Sequence, residues 1–211
     1  MADGGGTLDH ELLQTALDLL TSEPVERLSL RRVAQQLGVS HQAPYVYFGN
    51  KRTFLAAAAG TGLQRAAARA KAELATAGDD PVHRSHVLAD AYLSFIREWP
   101  HVHDLAYGPL VAKSDHPLLQ QGAVDCWNLL HDAVAACQPA GTSDAVVLRR
   151  CAAAWGTVSG IARLGALGQI PKSVPGDHDE LLHDALAILR QGWQSGTSPG
   201  WPPGGHGDSR N

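Results

Sequence analysis

The chain has 211 residues, of which 44% are hydrophobic and 18% charged, and a formal net charge of −4 at pH 7. That length suits one large domain or one small and one medium domain, and the apolar share is enough for a packed core, which excludes a wholly disordered chain. No apolar run approaches the roughly 20 residues of a membrane helix. The acidic start Met1-Ala-Asp-Gly-Gly-Gly6 is unlike a secretion signal, and Cys126, Cys137 and Cys151 form no close-spaced pair, so reduced thiols in a cytoplasm are expected.

The chain reads as helix after helix, with no alternating strand pattern. Leu8, Leu12, Ala16, Leu19 and Leu20 recur at helical spacing and predict an amphipathic helix over 8–21, with Thr7 as its cap. Ser22-Glu-Pro-Val25 breaks it. Ser29 starts a second helix that ends at Gly38, the residue best suited to a left-handed cap. Val39 and Ser40 lead into a short third helix over about 41–47. Asn50 caps a long helix reaching about residue 76, rich in Ala but interrupted by Gly60 and Gly62, which predict some compliance in it.

Ala77-Gly-Asp-Asp-Pro81 ends the long helix and marks a domain boundary. Helices follow over about 82–98, 101–108, 117–137, 143–168 and 177–194. The segment 152–168 is rich in Ala, Gly and Ser, which predicts a helix sandwiched between others. Gly, Pro and Ser dominate 195–211, which reads as a disordered tail. The domains are therefore expected at 1–50, with a connecting helix over about 50–76, and at 77–194.

The modest net charge hides a strong asymmetry. Residues 27–72 carry eight Lys or Arg and no Asp or Glu. Residues 1–26 carry six acids and no Lys or Arg, and residues 73–211 carry fifteen acids and nine bases. A basic stretch on an acidic protein is an electrostatic footprint for a polyanion. Inside it, Ala34 stands four residues before Gly38, and Val33, Leu37 and Val39 supply an apolar lock. That is the pattern of a helix-turn-helix, and the polyanion it implies is duplex DNA.

Three stretches carry a family resemblance: Leu28-Ser-Leu-Arg-Arg-Val-Ala-Gln-Gln-Leu-Gly-Val-Ser40, Ala43-Pro-Tyr-Val-Tyr-Phe48 and Asn50-Lys-Arg-Thr-Phe-Leu55. Over residues 8–60 the chain resembles the DNA-binding domain of the TetR family of bacterial transcription regulators. The resemblance implies an all-α protein, with an N-terminal three-helix DNA-binding domain joined to a larger helical ligand-binding and dimerisation domain. It also implies a homodimeric repressor released from a palindromic operator by a small-molecule ligand. No cofactor, membrane partner or catalytic residue is expected, because the sequence has no Gly-x-Ser-x-Gly, no phosphate-binding Gly loop, no paired acids in a helical metal arrangement and no long apolar run. Further on, Ala154-Trp-Gly-Thr-Val-Ser-Gly-Ile-Ala162 resembles the Trp-His-Gly motif of one subfamily, with Ser159 where the His usually stands.

The same resemblance places the third helix in the major groove. His41, Gln42 and Ala43 would face base edges, with Arg31 reaching in from the second helix. Gln suits adenine, Arg suits guanine and an Ala methyl can touch a thymine methyl. Ser40, Tyr45, Tyr47 and Lys51 would hold phosphates, Lys51 at a helix N-terminus where free amides already favour an anion. Ser29, Arg32 and Asn50 complete the DNA-facing set. Pro44 lies within the short helix, where it removes a donor and disfavours helical geometry at Ala43.

In the larger domain, Tyr92, Phe95, Trp99, Tyr107, Trp127 and Trp155 are candidates to line a ligand cavity. Leu182, Leu186, Leu189 and Trp193, with Leu181 and Ala185, form an apolar stripe suited to a dimer interface. His83, His86, His101, His103, His116 and His131 invite a metal reading, but His101 and His103 would face different sides of a helix. The alternative to a regulator is a helical small-molecule-binding protein with a vestigial DNA domain, and a third reading is a metal-dependent helical enzyme.

Overall fold

The computed structural model describes residues 7–194; the tail expected at 195–211 lies outside the described residues. The described residues form nine α-helices and no strand. They are α1 (Leu8–Leu20), α2 (Leu30–Leu37), α3 (Ala43–Phe48), α4 (Lys51–Thr76), α5 (Pro81–Glu98), α6 (Pro100–Tyr107), α7 (Pro117–Ala136), α8 (Asp144–Ala166) and α9 (His178–Gln194). Short 3-10 turns lie at Val25–Arg27 and Lys113–Asp115.

Local chemistry accounts for most boundaries. The Ser29 side chain accepts a hydrogen bond from the Arg32 amide at 3.2 Å, and Asn50 Oδ1 accepts one from the Thr53 amide at 3.0 Å. Asp80 accepts from the Val82 and His83 amides ahead of Pro81. Each satisfies donors that a helix start would otherwise leave unpaired. Thr7 sits at the cap position of α1 with extended backbone, but its side chain makes no capping bond. The third helix begins at Ala43 rather than at the expected 41, because Pro44 is confined to the first turn of a helix.

The chain resolves into two compact units, one ending at Ala136 and the other beginning at Cys137. The first holds α1–α7 around one continuous hydrophobic cluster, from Leu12 and Leu20 through Phe54 to Leu105 and Leu119. The long helix α4 serves both ends of it: α1 and α3 pack on it, and so do α5, α6 and α7. The break at Ala77–Pro81 is a turn within this unit. The Arg84 guanidinium donates to the Leu74 and Gly78 carbonyls at 2.8 and 3.0 Å, closing the end of α4 and tying α5 to it.

The glycines of α4 are packing residues. A methyl added at Gly60 would lie 2.3 Å from the backbone of both Leu118 and Leu119, and one at Gly62 would lie 2.4 Å from Val102 Cγ1. A methyl at Gly122 of α7 would lie 2.8 Å from the Gly60 carbonyl oxygen. With Ala56 to Ala59 fully buried beside them, α4 and α7 approach at backbone distance.

In the second unit α8 and α9 pack against each other. Val147, Cys151, Ala154, Val158 and Ala162 form the buried face of α8. The small residues expected to be sandwiched divide between faces. Ala152, Ala153, Gly156 and Gly160 are exposed, and a methyl added at either glycine meets nothing within 4 Å.

Candidate nucleic-acid interface

The two helices of the predicted motif are joined as a helix-turn-helix requires. Gly38 takes φ 73°, a left-handed conformation that favours glycine, and the Val39 amide donates back to the Ala34 carbonyl at 2.9 Å. Ala34 and Val33 are fully buried at the crossing. A second left-handed glycine, Gly49 at φ 72°, turns the chain from α3 into α4. Phe48 and Phe54 meet edge to face, with centroids 5.1 Å apart, and clamp α3 onto α4.

That clamp fixes which side of α3 faces outward. Pro44 and Phe48 are buried, whereas His41, Gln42, Tyr45, Val46 and Tyr47 are exposed. Ala43 is half-buried. Ser40 accepts a hydrogen bond from the Gln42 amide at 3.3 Å and so fixes the turn before α3. Lys51 is exposed in the first turn of α4 beside the Asn50 cap. Val46 was not singled out by the sequence reading; the register of the buried Pro44 and Phe48 would have revealed it.

The acid-free run is less basic in space than in sequence. The Arg32 guanidinium pairs with both carboxylate oxygens of Glu23, one at 2.6 Å, holding the Glu23 carboxyl below the usual range. Arg69 bridges Glu73 and Glu98, Arg52 pairs with Asp115 at 2.6 Å, and Arg65 donates to Gln14. Arg31 and Lys51 form no ion pair among the described residues and are exposed. Of the cations expected at DNA, those two are free for phosphate or base, and Arg32 instead ties α2 to the loop after α1.

A further contact joins this end of the molecule to the turn before α7. Asp115, already paired with Arg52, accepts the Ala112 amide at 2.6 Å, and these two donors hold its carboxyl below the usual range. Beside it the His116 ring lies 6.3 Å from that of Phe48, and His116 Nδ1 accepts the Leu118 amide. Burial lowers the His116 pKa, which agrees with an accepting, neutral ring.

Four of the six cavity candidates come together in α5, α6 and the Trp99 junction between them. Tyr92, Phe95 and Tyr107 surround His103, whose Nε2 shares a 2.9 Å hydrogen bond with the Tyr92 hydroxyl, and Trp99 meets Phe95 edge to face at 6.0 Å. The spacing of 92, 95, 99, 103 and 107 is helical, a signal that places His103 among the aromatics rather than with the other histidines. Burial pushes the Tyr107 hydroxyl up and the Cys126 thiol to about 11. Trp127 is half-buried on α7, and Trp155 is half-buried on α8 in the second unit. The groove lined by Lys71, Leu74, Ala75, Gly78, Asp79, Arg84 and Leu129 includes none of the six. Among the described residues no three His, Cys, Asp or Glu side chains group as a metal site, and no helix is long and apolar enough to cross a membrane.

The dimer stripe needs revision. Leu182 is fully buried within the chain and offers no surface to a partner. Leu186, Leu189 and Trp193 are half-buried, and Trp193 lies 5.9 Å beneath the Arg150 guanidinium. Among the described residues, the exposed large apolar side chains of this unit are Leu148, Leu164, Leu167 and Ile188.

Comparison with known proteins agrees with this geometry. Residues 12–58 match the family model for bacterial regulatory proteins of the tetR family, and residues 85–189 match the Tetracyclin repressor-like C-terminal domain. A protein of unknown function from Rhodococcus sp. RHA1 is similar at 27% identity and TM-score 0.73, over 92% of this chain and 98% of its own. A transcriptional regulator from the same organism has 25% identity and TM-score 0.61, over 89% and 96%. A TetR transcriptional regulator from that organism shares the fold at 15% identity and TM-score 0.58, over 86% and 94%. No curated protein matches the sequence. The chain belongs to the TetR family and is a DNA-binding transcriptional regulator; its family and fold are those of regulators and not of enzymes.

Proposed function

We propose that the protein is a homodimeric, cytoplasmic repressor that leaves a palindromic operator when a small molecule binds. The observation that carries the DNA half is the outward face of α3, held by buried Pro44 and Phe48, with exposed cations at Arg31 in α2 and Lys51 in the first turn of α4. Gln42, with His41 beside it, reads base edges, Arg31 reaches in from α2, and Tyr45, Tyr47 and Lys51 hold phosphates. Residues 1–50 are the reading head, the helix over 50–76 connects it, and 77–194 sense the ligand and dimerise.

The effector binds against Tyr92, Phe95, Trp99 and Tyr107, with His103 and Tyr92 supplying the polar groups of an otherwise apolar wall. Trp155-Gly156, with Ser159 in place of a His, supports a ligand half of the Trp-His-Gly kind. Dimerisation uses the open face of α8 with α9, through Leu148, Gly156, Gly160, Leu164 and Ile188.

The test is selection of duplexes from a random DNA pool by the full-length protein, followed by transcription from a template with the selected site over its promoter. A two-fold symmetric site, affinity falling linearly with log salt, and reduced transcript are expected. Increased transcript would reverse the sign of regulation, and selection of no sequence would favour a ligand-binding protein with a vestigial head.

A further inference from the structure

Val46 is the most exposed large apolar side chain among the described residues, at 78%. Its amide donates to the Gln42 carbonyl across 3.1 Å, so it stands one helical turn above Gln42 on the same face of α3. Tyr45 stands beside it, also exposed. The opposite side of the helix is anchored by buried Pro44 and Phe48, and Phe48 is locked against Phe54, so α3 cannot roll to bury the isopropyl group. An apolar group of this size, fixed outward on a helix that reads DNA, needs an apolar partner on a polyanion. The major groove of DNA offers one such group, the C5 methyl of thymine.

We propose that Val46 is a specificity-determining residue whose isopropyl group packs on a thymine methyl beside the adenine read by Gln42. One turn of α3 rises about 5.4 Å and one base step about 3.4 Å, so the thymine lies one or two steps from that adenine. The inference rests on α3 being the reading helix.

Uracil differs from thymine only by that methyl. The experiment takes the duplex selected by the full-length protein and replaces one thymine per half-site by uracil, position by position. For the wild type, one position should weaken binding about fourfold per half-site, the worth of one buried methyl. For Val46→Ala, which removes only exposed atoms and should melt at the wild-type temperature, the same replacement should change affinity by less than about 1.5-fold. A wild type indifferent to every thymine methyl, or a uracil penalty that persists in Val46→Ala, would overturn the role of Val46 alone. Failure of the wild type to select any duplex would overturn the reading of α3 itself.

Discussion

Two helices of this chain carry a close pair of glycines, and they use them oppositely. In α4, Gly60 and Gly62 are filled from within: the backbone of α7 and the side chain of Val102 occupy the space a methyl would need. In α8, Gly156 and Gly160 face outward and touch nothing. A small-residue stripe therefore signals close approach without saying whether the approaching element lies in the same chain. Burial of the neighbours distinguishes them: Ala56 to Ala59 are fully buried, whereas Ala152, Ala153 and Leu164 are exposed. On this comparison the α8 face is open within the described residues, and it is the face proposed above for the second copy.

The largest effect should come from charging the open face. Leu164→Arg should sediment as a monomer and bind the selected site about a hundredfold more weakly, because the second half-site no longer gains from the first. A dimer that survives would place the interface elsewhere.

Next is the same substitution with opposite sign in the two helices. Gly60→Ala should lose about 2–3 kcal/mol in denaturant unfolding, since the neighbour is backbone and cannot yield. Gly156→Ala in the Leu164→Arg background should gain up to about 1 kcal/mol from helix propensity. Equal effects at both positions would erase the distinction.

A smaller effect separates free from engaged cations. Lys51→Ala should flatten the plot of log affinity against log salt by about one unit. Arg52→Ala should change that slope less, because Arg52 is already paired with Asp115.

The smallest concerns His116. Its folded pKa lies below the ordinary value because burial disfavours its charged form. Its neutral ring therefore supports the fold above about pH 6.5, and that support is lost as pH falls through the folded pKa. His116→Asn should show a shallower loss of stability between pH 6.5 and 5 than the wild type, measured by thermal unfolding.

Element order was legible because most helices announce themselves through caps and 3.6-residue periodicity. The reading of Ser29, Gly38 and Asn50 as helix limits matches the structure residue for residue. What stayed hidden depends on long-range neighbours. Nothing local to Gly60 names Leu118, and nothing local to Arg32 names Glu23. The candidate site was legible in its exposed polar members and illegible at Val46, because an apolar residue in a short helix reads as core until the buried side of that helix is known.

The shared role of α4 sets a rule for building chimeras. The helix packs against α1 and α3 of the reading head and, at Gly60, against the first turn of α7. A head cut at residue 76 and fused to a foreign sensor would present a bare, backbone-deep furrow where Leu118 and Gly122 had lain. Exchange of sensors among relatives should therefore succeed only when the recipient supplies its own glycine at the facing position of α7, or when the graft carries residues 113–122 along with the head.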